Sequence, residues 1–369
     1  MHLKNIQVIQ FKNLEKVQIN FSPSINCFLG INGSGKTNLL DSIYYLCLTK
    51  SGFNSADLQN ITHGQSFFAL KGEFQLGDKT TEVRCILEAG KKKQVSKNGK
   101  AYDKLSSHIG LLPLVLIAPD DTQLVKGGSE ERRKFFDGLL SQIDKVYLER
   151  LIRYQHFLKQ RNALIKNFSE TNRFDPVLIE PYDRELIKLS LWIGEKRSSF
   201  LQSYAPVLEK YYGEISGKRE EIAIEFDSDS LQPSFEKTFK SAMKKDLLLK
   251  RTSTGIHRDD FHFIIDGYPL KKFGSQGQQK SFLIALKLAQ FNVFKEMKQD
   301  YPILLLDDIF DKLDDPRINK LISLVSQKEF GQLFITDARP ERSKRILGNI
   351  SSSISYFEVK DGTIEPEAT

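Results

Sequence analysis

Two hydrophobic periods divide this chain of 369 residues. Over roughly the first hundred residues, apolar and polar side chains alternate. Ile6 to Phe11, Val17 to Phe21, Phe67 to Leu76, Thr81 to Leu87 and Gln94 to Tyr102 each read as half-buried strands. Asn98-Gly99 inside the last run is the dipeptide that suits a two-residue hairpin turn. Leu111 to Ala118 is continuously apolar up to Pro119, the pattern of a strand covered on both faces. From Ser129 the interval lengthens. Phe135, Phe136, Leu139, Leu140, Ile143, Val146, Tyr147, Leu151 and Ile152 recur every three or four residues, as do Leu186, Leu189, Ile193, Phe200 and Leu201. Pro176, Pro181 and Pro206 are expected to interrupt this helical block, which excludes a long uninterrupted coiled coil. Strand character returns at Ile222 to Phe226, Phe261 to Ile265, Ile303 to Leu306 and Gln332 to Ile335. The pattern predicts an α/β piece over residues 1–125, a mainly helical lobe over 126–245 and a second α/β piece over 246–369.

Composition refines this picture only where it departs from the ordinary. With 40% hydrophobic and 27% charged residues the chain can bury a substantial core. Cys27, Cys47 and Cys85 sit in apolar runs without metal-ligand spacing, so they read as core thiols in a reducing compartment. The N-terminus lacks the blocks of a signal peptide and no apolar run approaches a membrane span, which predicts a cytoplasmic protein. A formal charge of +7 and a pI near 9.0 favour an anionic partner, nucleic acid first.

The chemistry concentrates in three places. Gly30-Ile31-Asn32-Gly33-Ser34-Gly35-Lys36-Thr37 fits the phosphate-loop pattern without a gap, between an apolar strand at Ile25 to Leu29 and a helix carrying Leu39, Leu40 and Ile43. Glycines let successive N–H groups converge on phosphate oxygens, and the helix dipole adds positive charge. Lys36 is expected on the β and γ phosphates and the Thr37 hydroxyl on Mg²⁺. The strand Ile303 to Leu306 ends in Asp307-Asp308, which places Asp307 to hold Mg²⁺ and Asp308 near the γ-phosphate. Finally, Phe273-Gly274-Ser275-Gln276-Gly277-Gln278-Gln279-Lys280 opens an apolar helix and offers a second anion-binding helix start. His257, Asp259, Asp260 and His262 are grouped in sequence, but strand alternation would set the two histidines on opposite faces, against a metal site.

Together these motifs, with Asp311-Lys312-Leu313-Asp314 after the acidic strand, resemble the ABC-type ATPase heads of the SMC-like family. The Ser-Gln-Gly-Gln-Gln form resembles its RecF-like branch most closely. Leu3 to Ile6, Phe11 to Leu14, Leu124 to Asp137 and Thr254 to Asp260 are similar to further segments of that branch, so the likeness runs nearly end to end. It implies an ABC-type P-loop head with an inserted, mainly helical second lobe. It also implies a function: a weak, DNA-stimulated ATPase that acts as a switch in recombinational repair and replication-fork maintenance.

On that resemblance ATP with Mg²⁺ binds at Gly30 to Thr37 with Lys12 assisting, and Lys36 and Asp308 are the catalytic residues. Ser275, Gln276, Gly277 and Gln278 act in trans across a homodimer whose seam Asp311 and Asp314 line. Gln123 is the candidate for the glutamine that senses Mg²⁺, and Thr336 or Asp337 for the γ-phosphate switch. The dimer grips duplex, single-stranded or junction DNA and works with RecR- and RecO-like partners. Basic candidates for DNA contact are Lys91, Lys92 and Lys93, Arg132 and Arg133, and Arg150, Arg153 and Arg161. The chain departs from the family in Lys12 for arginine and Ile256 for proline. Asp308 stands where most ABC ATPases carry glutamate, although RecF-like proteins share it. The shorter carboxylate sits back from the attacking water, which implies slow hydrolysis. A transporter's ATPase subunit and a small-molecule phosphotransferase are the alternatives. The helical insertion and basic charge oppose the first, and the second has no need of Ser275.

Overall fold

The computed structural model describes residues 1–217, 220–309, 315–324, 330–348 and 353–367. They form two compact units. A head unit takes residues 1–121, 214–217 and 280–369, and a helical unit takes 122–213 and 218–279. Ser275 to Gln279 therefore group with the helical unit and not with the C-terminal α/β piece.

The head unit holds two six-stranded sheets. The first is antiparallel and follows the alternating sequence: β1 (His2–Phe11), β2 (Leu14–Asn20), β4 (Phe67–Leu76), β5 (Lys79–Glu88), β6 (Gln94–Lys97) and β7 (Lys100–Ala101), in the order β2-β1-β4-β5-β6-β7. Asn98 and Gly99 make the predicted turn, with φ of 49° and 77°. The second sheet is built on the continuous apolar runs. β3 (Ile25–Leu29), β8 (Leu114–Ile117), β12 (Ile303–Leu306), β13 (Leu333–Asp337) and β14 (Ile354–Lys360) run parallel, and β15 (Thr363–Pro366) closes the edge antiparallel to β14. Every residue of β3, β12 and β13 is buried, as central parallel strands require.

The order β15-β14-β3-β13-β12-β8 sets one strand between β3 and β12. The loops that follow β3 and β12 thus emerge together at the carboxyl ends, where open α/β sheets bind ligands. Helix α1 (Lys36–Leu48) packs Leu39, Leu40, Ile43, Leu46 and Cys47 into the core shared by both sheets. Phe28 stacks on Phe357 at 4.9 Å and Phe21 meets Phe334 edge-on at 4.9 Å.

The helical unit contains α2 (Thr122–Lys126), α3 (Ser129–Ile143), α4 (Lys145–Thr171) and most of α5 (Pro176–Ser216). It continues with β9 (Ile222–Asp227), α6 (Phe235–Ser241), α7 (Met243–Leu249), β10 (Asp260–Ile265), β11 (Tyr268–Pro269) and α8 (Leu270–Phe273). Helix α9 (Gln276–Lys298) begins there. The expected interruption is wrong: α5 is one helix of 41 residues with Pro181 and Pro206 inside it. Both prolines are exposed, as are Val177 and Gln202, whose carbonyls lose their helical donors and can bond water instead. The buried face, Ile179, Leu186, Leu189, Ile193, Leu201 and Tyr204, continues through both positions and holds the helix together.

Buried charges stitch α4 and α5 to the segments behind them. Fully buried Arg161 on α4 donates to Asp183 at 2.6 Å, Asp246 at 2.7 Å and Thr252 Oγ1 at 2.7 Å. Arg197 on α5 donates to both oxygens of Asp137, to Asp259 at 2.6 Å and to the Ile256 carbonyl. Among the described residues no helix is long and apolar enough to cross a membrane.

Candidate functional site

The loop after β3 is shaped by what surrounds it. A Cβ on Gly30 would lie 2.2 Å from the Val359 carbonyl oxygen, so only glycine fits beside β14. Gly33 and Gly35 take φ of 83° and 116°, conformations costly for any other residue. No side chain caps the start of α1 and no acidic residue lies in its first turn, so its amide donors are available to an anion. Lys36 Nζ folds back to donate to the carbonyls of Gly30 at 2.9 Å and Ile31 at 3.0 Å.

Two clamps outside the motif hold this shape, and sequence reading missed both. Gly362 N donates to the Ser34 carbonyl at 2.8 Å. Asn13 accepts from Asn38 Nδ2 at 2.7 Å and reaches the Gly33 carbonyl at 3.5 Å. Asp361-Gly362, with φ of 49° and 80°, turns the β14–β15 hairpin. That dipeptide between two alternating runs was the available signal. Asn13 carried none.

Asp307 meets the loop from β12. The Thr37 hydroxyl lies 2.9 and 3.1 Å from its two oxygens, and Thr336 Oγ1 donates to Oδ1 at 2.8 Å. Burial pushes the Asp307 carboxyl up to about 6, against the opposing pull of the Thr336 and Thr37 hydroxyls. Thr336 also accepts the Asp308 N–H at 2.9 Å, so the two threonines fix both acidic residues. Asp337, the other candidate on β13, is buried and accepts from Ser343, away from this cluster. Asn32, Gly33, Gly35, Lys36, Thr37, Asn38, Pro119 and Asp308 enclose a cavity of about 340 Å³.

In the helical unit Ser275 caps α9. Its Oγ accepts from Gln278 N at 3.2 Å while Gln278 Oε1 accepts from Ser275 N at 2.7 Å, a reciprocal capping box. Glu220 Oε1 accepts from Gln278 Nε2 at 3.0 Å, and the Gly274 carbonyl accepts from Gln279 Nε2 at 2.9 Å. Because the Ser275 hydroxyl accepts inside the cap, its own proton points elsewhere as a donor. Ser275 and Gln276 are exposed and Gly277 is half-buried. Gln123 is exposed on α2, and Asp311 and Asp314 lie outside the described residues.

Several basic candidates are corrected by their surroundings. Lys12 does not line the cavity. Its ammonium pairs at 2.7 Å with Asp41, a carboxylate buried on α1 that needs a counter-charge. Lys93 is committed to Asp57 at 2.6 Å and the Thr49 carbonyl at 2.6 Å. Arg132 grips Asp260 with two bonds of 2.7 and 2.9 Å, and Arg133 donates to the Asp259 carbonyl at 2.6 Å. Arg161 is fully buried, and Arg150 lies over Trp192 at 4.0 Å. Lys91, Lys92 and Arg153 remain on the surface, with Lys91 near Glu88 and Arg153 near Glu185. Strand alternation does not relate His257 to His262, because only His262 lies on β10. His257 sits in the turn before β10, its ring against the Tyr154 hydroxyl at 2.7 Å and the Thr252 carbonyl at 3.1 Å.

The RecF/RecN/SMC N-terminal domain family model matches residues 2–364. The chain belongs to the RecF family within that group. A Cytophaga hutchinsonii protein named DNA replication and repair protein RecF is 47% identical over 365 residues, spanning 99% of this chain and 97% of its own. A protein of the same name from Flavobacterium johnsoniae is 45% identical over 359 residues, 97% of this chain and 100% of its own. Among solved structures, the recombination mediator protein RecF with ATP in the RecFOR pathway superposes with a TM-score of 0.88 at 26% identity, covering 99% of each chain. The Smc head of Pyrococcus furiosus, at 16% identity and a TM-score of 0.58, shares the fold.

Proposed function

We propose that this RecF-family chain is an ATP-gated DNA clamp of recombinational repair and replication-fork maintenance. The observation that carries this reading is the pairing of Thr37 with Asp307 beneath an uncapped phosphate loop, together with an exposed Ser275 whose hydroxyl keeps a free proton. The residues fit ATP and Mg²⁺: glycine-shaped backbone, the Lys36 ammonium and the first amides of α1 face the phosphate side, and Thr37 and Asp307 offer hard oxygen ligands. Bound Mg-ATP supplies the concentrated negative charge that joins the two faces. Lys36 and the loop amides hold the β and γ phosphates. Asp308 orients the attacking water from a short side chain, so turnover is slow. Ser275 and Gly277 of a second copy would donate to the γ-phosphate, which makes dimerisation depend on nucleotide already bound to the loop. The closed dimer holds DNA by its backbone and passes it to RecR- and RecO-like partners.

Sedimentation with and without ATP tests this for the wild type, Lys36→Met and Ser275→Arg. The wild type dimerises with ATP. Lys36→Met loses nucleotide and dimer, whereas Ser275→Arg keeps nucleotide and loses the dimer. ATP-independent assembly, or an unchanged Ser275→Arg dimer, contradicts the clamp.

A further inference from the structure

Apolar side chains stand in solvent on both faces that the proposed dimer joins. On the helical unit, Tyr268 is 58% and Phe273 63% exposed, with ring centroids 5.1 Å apart. Tyr268 opens β11, where it pairs with Ile265 of β10, and Phe273 ends α8. The pair is therefore mounted on regular structure. Phe273 lies two residues before Ser275, which holds their Cα atoms within about 7 Å. On the head unit, Ile31 in the phosphate loop is 72% exposed.

One exposed apolar residue is ordinary, but an aromatic pair in mutual contact and unshielded from water is characteristic of a recognition surface. Charge divides in the same way. Lys271 and Lys272, between Tyr268 and Phe273 in sequence, are exposed, and Asp120 is exposed beside Pro119, which lines the same cavity as Asn32.

We propose that Tyr268 and Phe273 of one copy close over Ile31 of a second copy, with Lys272 facing Asp120 across the seam. The proposal rests on the ATP-dependent dimer of the preceding subsection and adds an apolar seal to it. A ring of apolar contact excludes water from the charge-assisted bonds between Ser275 and phosphate, which strengthens them. Single-stranded nucleic acid also stacks on aromatic side chains flanked by lysine. The second copy is favoured because the chain itself confines Phe273 to the immediate neighbourhood of Ser275, at the seam.

The test uses the full chain with the slowly hydrolysed analogue ATPγS. Dimer dissociation constants are measured by sedimentation for the wild type, Phe273→Ser, Tyr268→Ser, Ile31→Ser and the Phe273→Ser/Ile31→Ser double variant. Analogue affinity of the monomer and binding of oligo(dT) are measured in parallel. Phe273→Ser is expected to weaken the dimer about tenfold or more while monomer affinity for the analogue is unchanged. In its background, Ile31→Ser weakens the dimer less than it does alone, the signature of contact. An unchanged dimer constant in Phe273→Ser and Tyr268→Ser overturns the proposal. So does loss of oligo(dT) binding with the dimer intact, which assigns the rings to nucleic acid. A wild type that stays monomeric with the analogue removes the dimer itself, and the seal with it; a dimer indifferent to the ring substitutions removes only the seal.

Discussion

Asp308 holds its carboxylate on a left-handed backbone position, φ 43°, anchored by the bond from its own N–H to Thr336. That geometry places the group at the cavity wall but leaves it one methylene short of a glutamate's reach. Asp308→Asn keeps the shape and removes the charge. It is expected to retain ATP-dependent dimers, lower turnover at least about tenfold and lengthen the dimer's lifetime. Stopped-time hydrolysis and dissociation assays check this, and a faster-dissociating variant contradicts the role. At this scale legibility followed locality. Gly30 to Thr37 could be read because a phosphate loop is specified by neighbours in sequence. Lys12, Lys93 and Arg132 could not, because what claims each of them is a carboxylate, Asp41, Asp57 or Asp260, brought in by folding from 29, 36 or 128 positions away.

Among elements, α5 shows why periodicity outranks a single residue. The prolines predicted a break, yet each lies on the wet face while the dry face continues unbroken. A histidine held against the neighbouring helix α4 also gives the helical unit a pH response. His257 accepts from the Tyr154 hydroxyl at Nδ1 and donates from Nε2 to the Thr252 carbonyl, which fits the neutral ring. Burial lowers its pKa from 6.5 to about 4. A lowered folded pKa means stability is full above about pH 6.5 and is lost as pH falls through 4. The unfolded ring then takes up a proton that the folded one resists. The loss through His257 amounts to about 3 kcal/mol. Urea unfolding at pH 7 and pH 4 is expected to show a smaller decline for His257→Asn than for the wild type. Equal declines contradict this.

For the whole molecule, two features of the sequence, a phosphate loop and a Ser-Gln-Gly-Gln helix start, fall in different compact units. The change of hydrophobic period marked where the helical unit begins but not where it ends, because β9, β10 and β11 fall within that unit. The site was legible only in halves: in the proposed clamp a second chain completes it, and no periodicity within one chain encodes a partner. Converting a population from 1% to 99% dimer needs about 5.5 kcal/mol of differential binding, within reach of several charge-assisted bonds at two sites.

DNA contact belongs to the same scale. Lys92 and Arg153 remain on the surface after folding has engaged Arg132, Arg133, Arg150 and Arg161 elsewhere. Lys92→Ala and Arg153→Ala are each expected to reduce the salt slope of DNA binding by about 1 without changing ATP affinity. Unchanged slopes in both place the DNA surface elsewhere.

Mixing Lys36→Met with Ser275→Arg chains tests the two-chain site most directly. Each variant alone lacks a complete site, but a mixed dimer joins the intact phosphate loop of one chain to the intact Ser275 of the other. ATP turnover and ATP-dependent dimers are therefore expected to return on mixing. Mixtures that remain as inactive and monomeric as their components would contradict the account.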